Sequence, residues 1–288
     1  MCIISIAALV LSCASTKAQE KTPAAAVEPA AAVKEAPIEA VKPLPKIIQV
    51  KVWKLQSAET AFPDGVAIGR TVYSYDESGQ LLKEEELSGT NVLLTQKLYV
   101  YKGEGTVEIS TLNGVGEVLG KAVRQLKGKF LLKESLYNPK GELQSTEEYS
   151  WDGKGQKTRW SVKTSSGSQV SSMYTWSNGN MIRIVVLDAV NNTIKRFERV
   201  FGDDNLLAEE NQYDTAGILT GKIVYTYEGK YLAREENQNP AGAVLSALQY
   251  KNDAEGNPVE IKYLDRQGHV KDVKTQVWQV FTYTIQEQ

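Results

Sequence analysis

Residues 73–81 read YSYDESGQL and residues 149–157 read YSWDGKGQK. In each, two aromatic residues stand two apart and run into an Asp followed three positions later by a Gly. Residues two apart share one face of a β-strand. Asp at that distance before Gly suits a type I turn in which the Asx side chain caps the backbone and Gly takes the left-handed position of a G1 bulge. Each stretch therefore reads as a strand end folding into a hairpin. In looser form, an aromatic or large apolar residue followed by a Gly/Asp/Asn-rich turn recurs at Tyr75, Tyr101, Leu126, Trp151, Trp176, Phe201, Tyr227 and Tyr250, at intervals of 26, 25, 25, 25, 25, 26 and 23 residues.

Between these turns lies a second series, near Gly89 and then at Asn113–Gly116, Asn138–Gly141, Ser165–Gly167, Asn191-Asn192, Asp214–Gly217, Asn239–Gly242 and Asp265–Gly268. A turn every dozen residues or so leaves strands of roughly 7 to 9 residues and no room for a normal helix. The expected fold is all-β: a long antiparallel meander of about eight two-strand repeats, with about seventeen strands. Open twisted sheets beyond ~10 strands curl or split, so the expected form is a single coiled or partly rolled sheet over residues 47–288. A transmembrane barrel needs an uncharged outer face. Here Lys83-Glu84-Glu85-Glu86 and Lys157-Thr158-Arg159 put charge on both alternating faces.

Tyr75-Asp76-Glu77-Ser78-Gly79-Gln80-Leu81 and Tyr213-Asp214-Thr215-Ala216-Gly217-Ile218-Leu219 resemble the YD (RHS-type) repeat, Tyr-Asp-x-x-Gly-x-Leu, of bacterial surface and secreted proteins. Residues 137–143 and 264–270 are degenerate copies, and the pattern spans roughly residues 70 to 285. A MORN-like antiparallel repeat is the competing resemblance. Both imply an extended meander serving as shell, spacer or adhesive surface, and neither brings a catalytic residue.

Ahead of the repeats, Ile3–Leu11 is a short apolar run too brief to span a bilayer and of the length of a signal-peptide core. It leads into Ser12-Cys13, which resembles the lipobox of bacterial lipoproteins. The resemblance implies a signal peptide over residues 1–12, acylation of Cys13 with palmitate among its chains, and membrane attachment through that residue, with the outer membrane the expected address and either face open. An ordinary secretory signal cleaved near Ala14 or Ala18 is the alternative. Residues 13–46 form an Ala/Pro-rich tether, with Pro23, Pro29, Pro37, Pro43 and Pro45 favouring an extended, solvated chain.

Composition narrows function. The 288 residues carry 33 Lys+Arg against 35 Asp+Glu, too balanced for a nucleic-acid binder. One His and two Cys disfavour zinc sites and triad chemistry, so neither metal nor cofactor is expected. Alternation places Tyr73/Tyr75, Tyr99/Tyr101, Tyr149/Trp151, Tyr174/Trp176 and Tyr225/Tyr227 at one phase of the repeat. The candidate binding face is Tyr149, Trp151, Trp160, Tyr174, Trp176, Tyr225 and Tyr227, a ladder suited to stacking on a polysaccharide or peptide, or to plain cross-strand packing. Glu84, Glu134, Glu209 and Glu235 also recur in phase, as solvated cross-strand partners or as a remnant of carboxylate chemistry. The leading expectation is a non-enzymatic envelope lipoprotein whose repeat domain is a binding or scaffolding surface for protein partners. A carbohydrate-binding lipoprotein is the alternative and a carboxylate-dependent envelope hydrolase a third.

Overall fold

The computed structural model describes residues 47–286 of the chain. The signal peptide, Cys13 and the tether lie outside them. Among the described residues every regular element is a β-strand. The first six are β1 (Ile47–Ala61), β2 (Ala67–Tyr75), β3 (Leu81–Ser88), β4 (Leu93–Lys102), β5 (Thr106–Asn113) and β6 (Val118–Lys127). Next come β7 (Phe130–Tyr137), β8 (Leu143–Trp151), β9 (Lys157–Thr164), β10 (Gln169–Ser177), β11 (Asn180–Leu187) and β12 (Thr193–Phe201). The last six are β13 (Leu207–Tyr213), β14 (Leu219–Glu228), β15 (Tyr231–Gln238), β16 (Val244–Asn252), β17 (Pro258–Leu264) and β18 (Val270–Gln286).

The hairpins form as the turn residues dictate. In the β2–β3 turn the Asp76 carboxylate accepts from the Gln80 amide at 2.7 Å, and Gly79 sits at φ 72°. Asn138 and Asp152 do the same at 2.9 Å, with Gly141 and Gly155 in the left-handed region. Most hairpins carry a one-residue register shift beside the turn, the bulge expected of this geometry.

Each strand pairs with its sequence neighbours, and β1 also pairs with β18, from Ile47↔Gln286 to Ala61↔Val273. The 18-stranded sheet is thus a closed barrel, not the open coiled or partly rolled sheet expected, and its strands make nine hairpin-sized units rather than eight. The missed strand is β1, which has no turn motif in front of it. From strand to strand the ladders drift by roughly one residue, which tilts the strands by about 35° and gives a backbone diameter of roughly 34 Å, wide enough for an aqueous lumen.

Among the described residues no second layer covers either wall. The buried hydrophobic residues among those described are Ala58, Val107, Ile109, Leu187 and Ala247, all aliphatic and mostly small. Stability therefore rests on the backbone ladders and on cross-strand side-chain pairs, each worth roughly 0.2–1 kcal/mol. At one end β1 and β18 run past their neighbours as a two-stranded ribbon, a form marginal by itself. It is braced on the β2–β3 turn: Tyr283 donates to the Ser78 carbonyl at 3.0 Å, Lys54 donates to the Gly79 carbonyl, and the Tyr75 and Phe281 rings meet edge-on at 5.6 Å.

Candidate functional site

Cross-strand partners share a face, so the ladders assign every side chain to one wall. Starting from Tyr73, the chain of partners Glu84, Lys97 and Thr111 continues round the ring and closes through Thr60 on the wall where it began. This wall holds the repeat aromatics and is the inner one. Burial is the leading cause of a raised pKa at Tyr73, Tyr75, Tyr99, Tyr101, Tyr149, Tyr225, Tyr227 and Tyr250, and all eight lie on it. The outer wall carries charge at mid-strand all round the barrel, as at Arg70, Glu108, Lys133, Arg183 and Arg234. A charge facing hydrocarbon costs about 2–4 kcal/mol near the bilayer midplane for Arg or Lys, so this is a wall for water and not for lipid.

The terminal aromatics form a rim with a structural task. Where β7 and β8 stop pairing, the Leu131 carbonyl is left without a ladder partner, and Trp151 donates its indole N–H to it at 2.8 Å. The device repeats at Tyr75 to Leu55, Trp176 to Lys157, Tyr227 to Leu207 and Trp278 to Pro258, with distances of 2.8–3.0 Å. Asn252 plays the same part toward Leu232 at 2.8 Å. Asn252, not Tyr250, is thus the repeat residue of its hairpin, which removes the short interval of 23 residues; Trp278 adds a ninth member that the turn signature did not find.

Two residues inward from this rim lies a second belt. Arg124 meets Glu134 at 2.7 Å, Arg199 meets Glu210 at 2.6 Å, and Lys97 meets Glu84 at 2.9 Å. Tyr73, Tyr99, Tyr149, Tyr174, Tyr225 and Tyr250 fill six of the remaining places two residues inward, and Gln276 the last. Tyr149 and Trp160 both donate to Glu147, at 2.6 and 2.9 Å, and Tyr250 donates to Glu235 at 2.6 Å. Burial first, and then these hydrogen bonds to carboxylates, push the Tyr149 and Tyr250 hydroxyls above the usual tyrosine range.

All seven residues of the expected binding face lie on the inner wall. Trp151, Trp176 and Tyr227 are rim caps, and Tyr149 and Trp160 form a cross-strand pair over Glu147. The Tyr174 ring carries the Lys157 ammonium 4.3 Å from its centroid, and Tyr225 stands opposite Glu235. Of the four in-phase acids, Glu84, Glu134 and Glu235 face inward. Glu209 faces outward toward Lys222 at 3.6 Å, because the inner position belongs to Glu210. Glu134 and Glu147 are direct cross-strand partners on a regular stretch of wall, with their oxygens engaged by Arg124, Tyr149 and Trp160. Arg124 and Arg199 were legible from the period, since both fall two residues before a rim position. Asn237, Ser246 and Tyr263, on the same wall, carry no repeat signature.

No protein-family model and no curated protein matches the sequence. Among solved structures, the chain is similar to a porin-like protein from Bacteroides uniformis at 11% identity, over 78% of this chain and 97% of that one, with a TM-score of 0.45. A porin-like protein from Bacteroides vulgatus matches at 11% identity over 78% and 98%, with a TM-score of 0.38. The structure of TcdB2-TccC3 matches at 15% identity over 68% of this chain and 14% of that one, with a TM-score of 0.16. Likenesses at these TM-scores carry no argument; the barrel stands on its own ladders.

Proposed function

We propose that the chain is a lipid-anchored protein of the bacterial envelope, held through Cys13, whose barrel is a binding module that receives an extended guest against its inner wall. The observation that carries this reading is the segregation of side chains. Half-buried aromatics, with ion pairs and hydrogen-bonding groups among them, gather on the wall of a lumen wide enough for solvent, while the outer wall holds its charges in water. Regularly spaced rings suit a polymer of repeating units, and a polysaccharide is the guest this surface fits best. The rim caps have their polar atoms engaged by the barrel's own backbone, so only their ring faces are open to a guest.

Binding of the full chain in detergent micelles to arrayed bacterial glycans tests the reading. Retention of one glycan class, weakened by Tyr174→Ala, is expected; no retention of any class would overturn it. Loss of labelled palmitate incorporation in Cys13→Ala tests the anchor. A second reading, a scaffold for protein partners, is favoured by one outer strip: Leu94, Leu98 and Val100 of β4 are exposed, with no charge on that wall between them. A photo-crosslinker at Leu98 that captures a discrete envelope protein in cells, with none captured from Ser150, is the result that reading requires.

A further inference from the structure

We propose that the inner wall between β14 and β17 holds a saccharide subsite. Glu235, Asn237, Ser246 and Tyr263 build it over Ile223 and Leu248, and it takes an uncharged or amino-bearing pyranose and rejects a uronate. The proposal rests on the inner wall being the guest-binding surface and names where on that wall, and for which sugar class, recognition occurs.

This sector departs from the rest of the belt. Glu84, Glu134 and Glu210 each hold a cation at 2.6–2.9 Å. Glu235 occupies the corresponding place, yet across its two ladders it faces Tyr225 and Leu248. Tyr250 donates to its Oε1 at 2.6 Å, and among the described residues nothing donates to Oε2. Asn237 and Ser246 are direct partners across β15 and β16 and are exposed to the lumen. Their side chains have no hydrogen-bond partner among the described residues. These groups edge a depression of about 250 Å³, floored by Ile223 and Leu248 and walled by Tyr263, whose side is 39% exposed.

The chemistry follows from the lining. A pyranose has an apolar C–H face and an edge of hydroxyls that both donate and accept. An open tyrosine ring meets the first. A carboxylate that only accepts, an amide that does both and a hydroxyl that does both meet the second. The depression is smaller than the roughly 300–1,000 Å³ typical of drug-sized ligands, which fits one ring of a longer chain. Charge selects further. Glu235 lacks a cation and Asp272 stands directly opposite Tyr263, so a guest carboxylate would meet like charge in a partly desolvated site.

The test is isothermal titration of the full chain in micelles with cellohexaose, xylohexaose, chitohexaose, a fully deacetylated chitosan hexamer and hexagalacturonate. One of the four non-uronate oligomers is expected to bind, with hexagalacturonate silent. Tyr263→Ala and Asn237→Ala should each weaken binding by about tenfold or more. Glu235→Gln should keep the neutral guest within a few-fold and admit hexagalacturonate. Thermal unfolding of each variant within a few degrees of the parent shows that the barrel is intact. Binding weakened by Tyr174→Ala but untouched by Asn237→Ala and Tyr263→Ala leaves the inner-wall reading standing and overturns the subsite. Binding of none of the oligomers overturns both, and hexagalacturonate binding by the parent chain overturns the assignment of sugar class.

Discussion

The two walls of the barrel are made by alternate residues of the same strands, and they use the same chemistry to different effect. On the outer wall Arg183 meets Glu198 at 3.1 Å with about half of the arginine side chain in water (51%). On the inner wall Arg199 meets Glu210 at 2.6 Å, with side chains 19% and 12% exposed. Curvature makes the difference. A concave face crowds its side chains together and excludes water from between them, whereas a convex face splays them apart. The carboxylate shows it most consistently: Glu84, Glu134 and Glu210 on the inner wall are more deeply desolvated than Glu198 and Glu236 on the outer one, whose pairs are screened by water.

The sharpest way to break this contrast is at the rim. Trp151→Ala removes both a half-buried indole in contact with Phe130 and the donor that satisfies the Leu131 carbonyl. A loss of about 2–3 kcal/mol is expected in denaturant unfolding, while Trp151→Phe, which keeps most of the ring, should lose about 1 kcal/mol. Equal losses for the two would show that the carbonyl cap, not the ring, is what matters.

Next in size is Arg199→Ala. It leaves Glu210 half-desolvated without its cation and should cost about 2 kcal/mol, short of a fully buried pair because the lumen is wet.

The inner tyrosines supply a pH test. Burial raises the folded-state pKa values of Tyr73, Tyr75, Tyr99, Tyr149, Tyr225 and Tyr250 above the unfolded value of about 10, to about 12 at Tyr75, where Tyr73 and Glu84 add to it. The neutral phenol is therefore the form the fold prefers. Its contribution is complete below pH 10 and is lost as pH rises from there toward the folded value. The unfolding temperature should fall steeply above pH 10, while the tyrosinate absorbance of the folded chain is delayed to higher pH. A flat profile to pH 12 would place these rings in water. Arg183→Ala should have the smallest effect, within about 0.5 kcal/mol in denaturant unfolding.

The hairpin grammar was open to reading because it is local. In most turns an Asx, Ser or Thr residue and a left-handed Gly or Asn three positions on decide the reversal within a few residues of chain. Closure is not local: it depends on β1 meeting β18 across more than two hundred residues, and neither strand edge carries a motif that names its partner. The same limit explains smaller departures. By its chemistry Tyr250 reads as the repeat residue of its hairpin, but the turn carrying Asp253 and Gly256 fixes the phase and makes it Asn252. Glu209 and Glu210 are adjacent acids, so composition could not say which faces inward; the ladder to Ile223 does. The seven aromatics sat on one face as alternation requires, yet which wall was concave followed only from closure.

Closure is also the claim most directly open to measurement. Glu59 of β1 and Thr275 of β18 are cross-strand partners on the outer wall. Spin labels at these two positions, in a chain with Cys2 and Cys13 replaced by Ser, report the seam by electron paramagnetic resonance. A closed ring predicts strong dipolar broadening from labels within about 20 Å, since partner Cα atoms lie about 5 Å apart. Labels separated by many tens of ångströms, as at the two free edges of an unclosed sheet of this many strands about 4.8 Å apart, would contradict it.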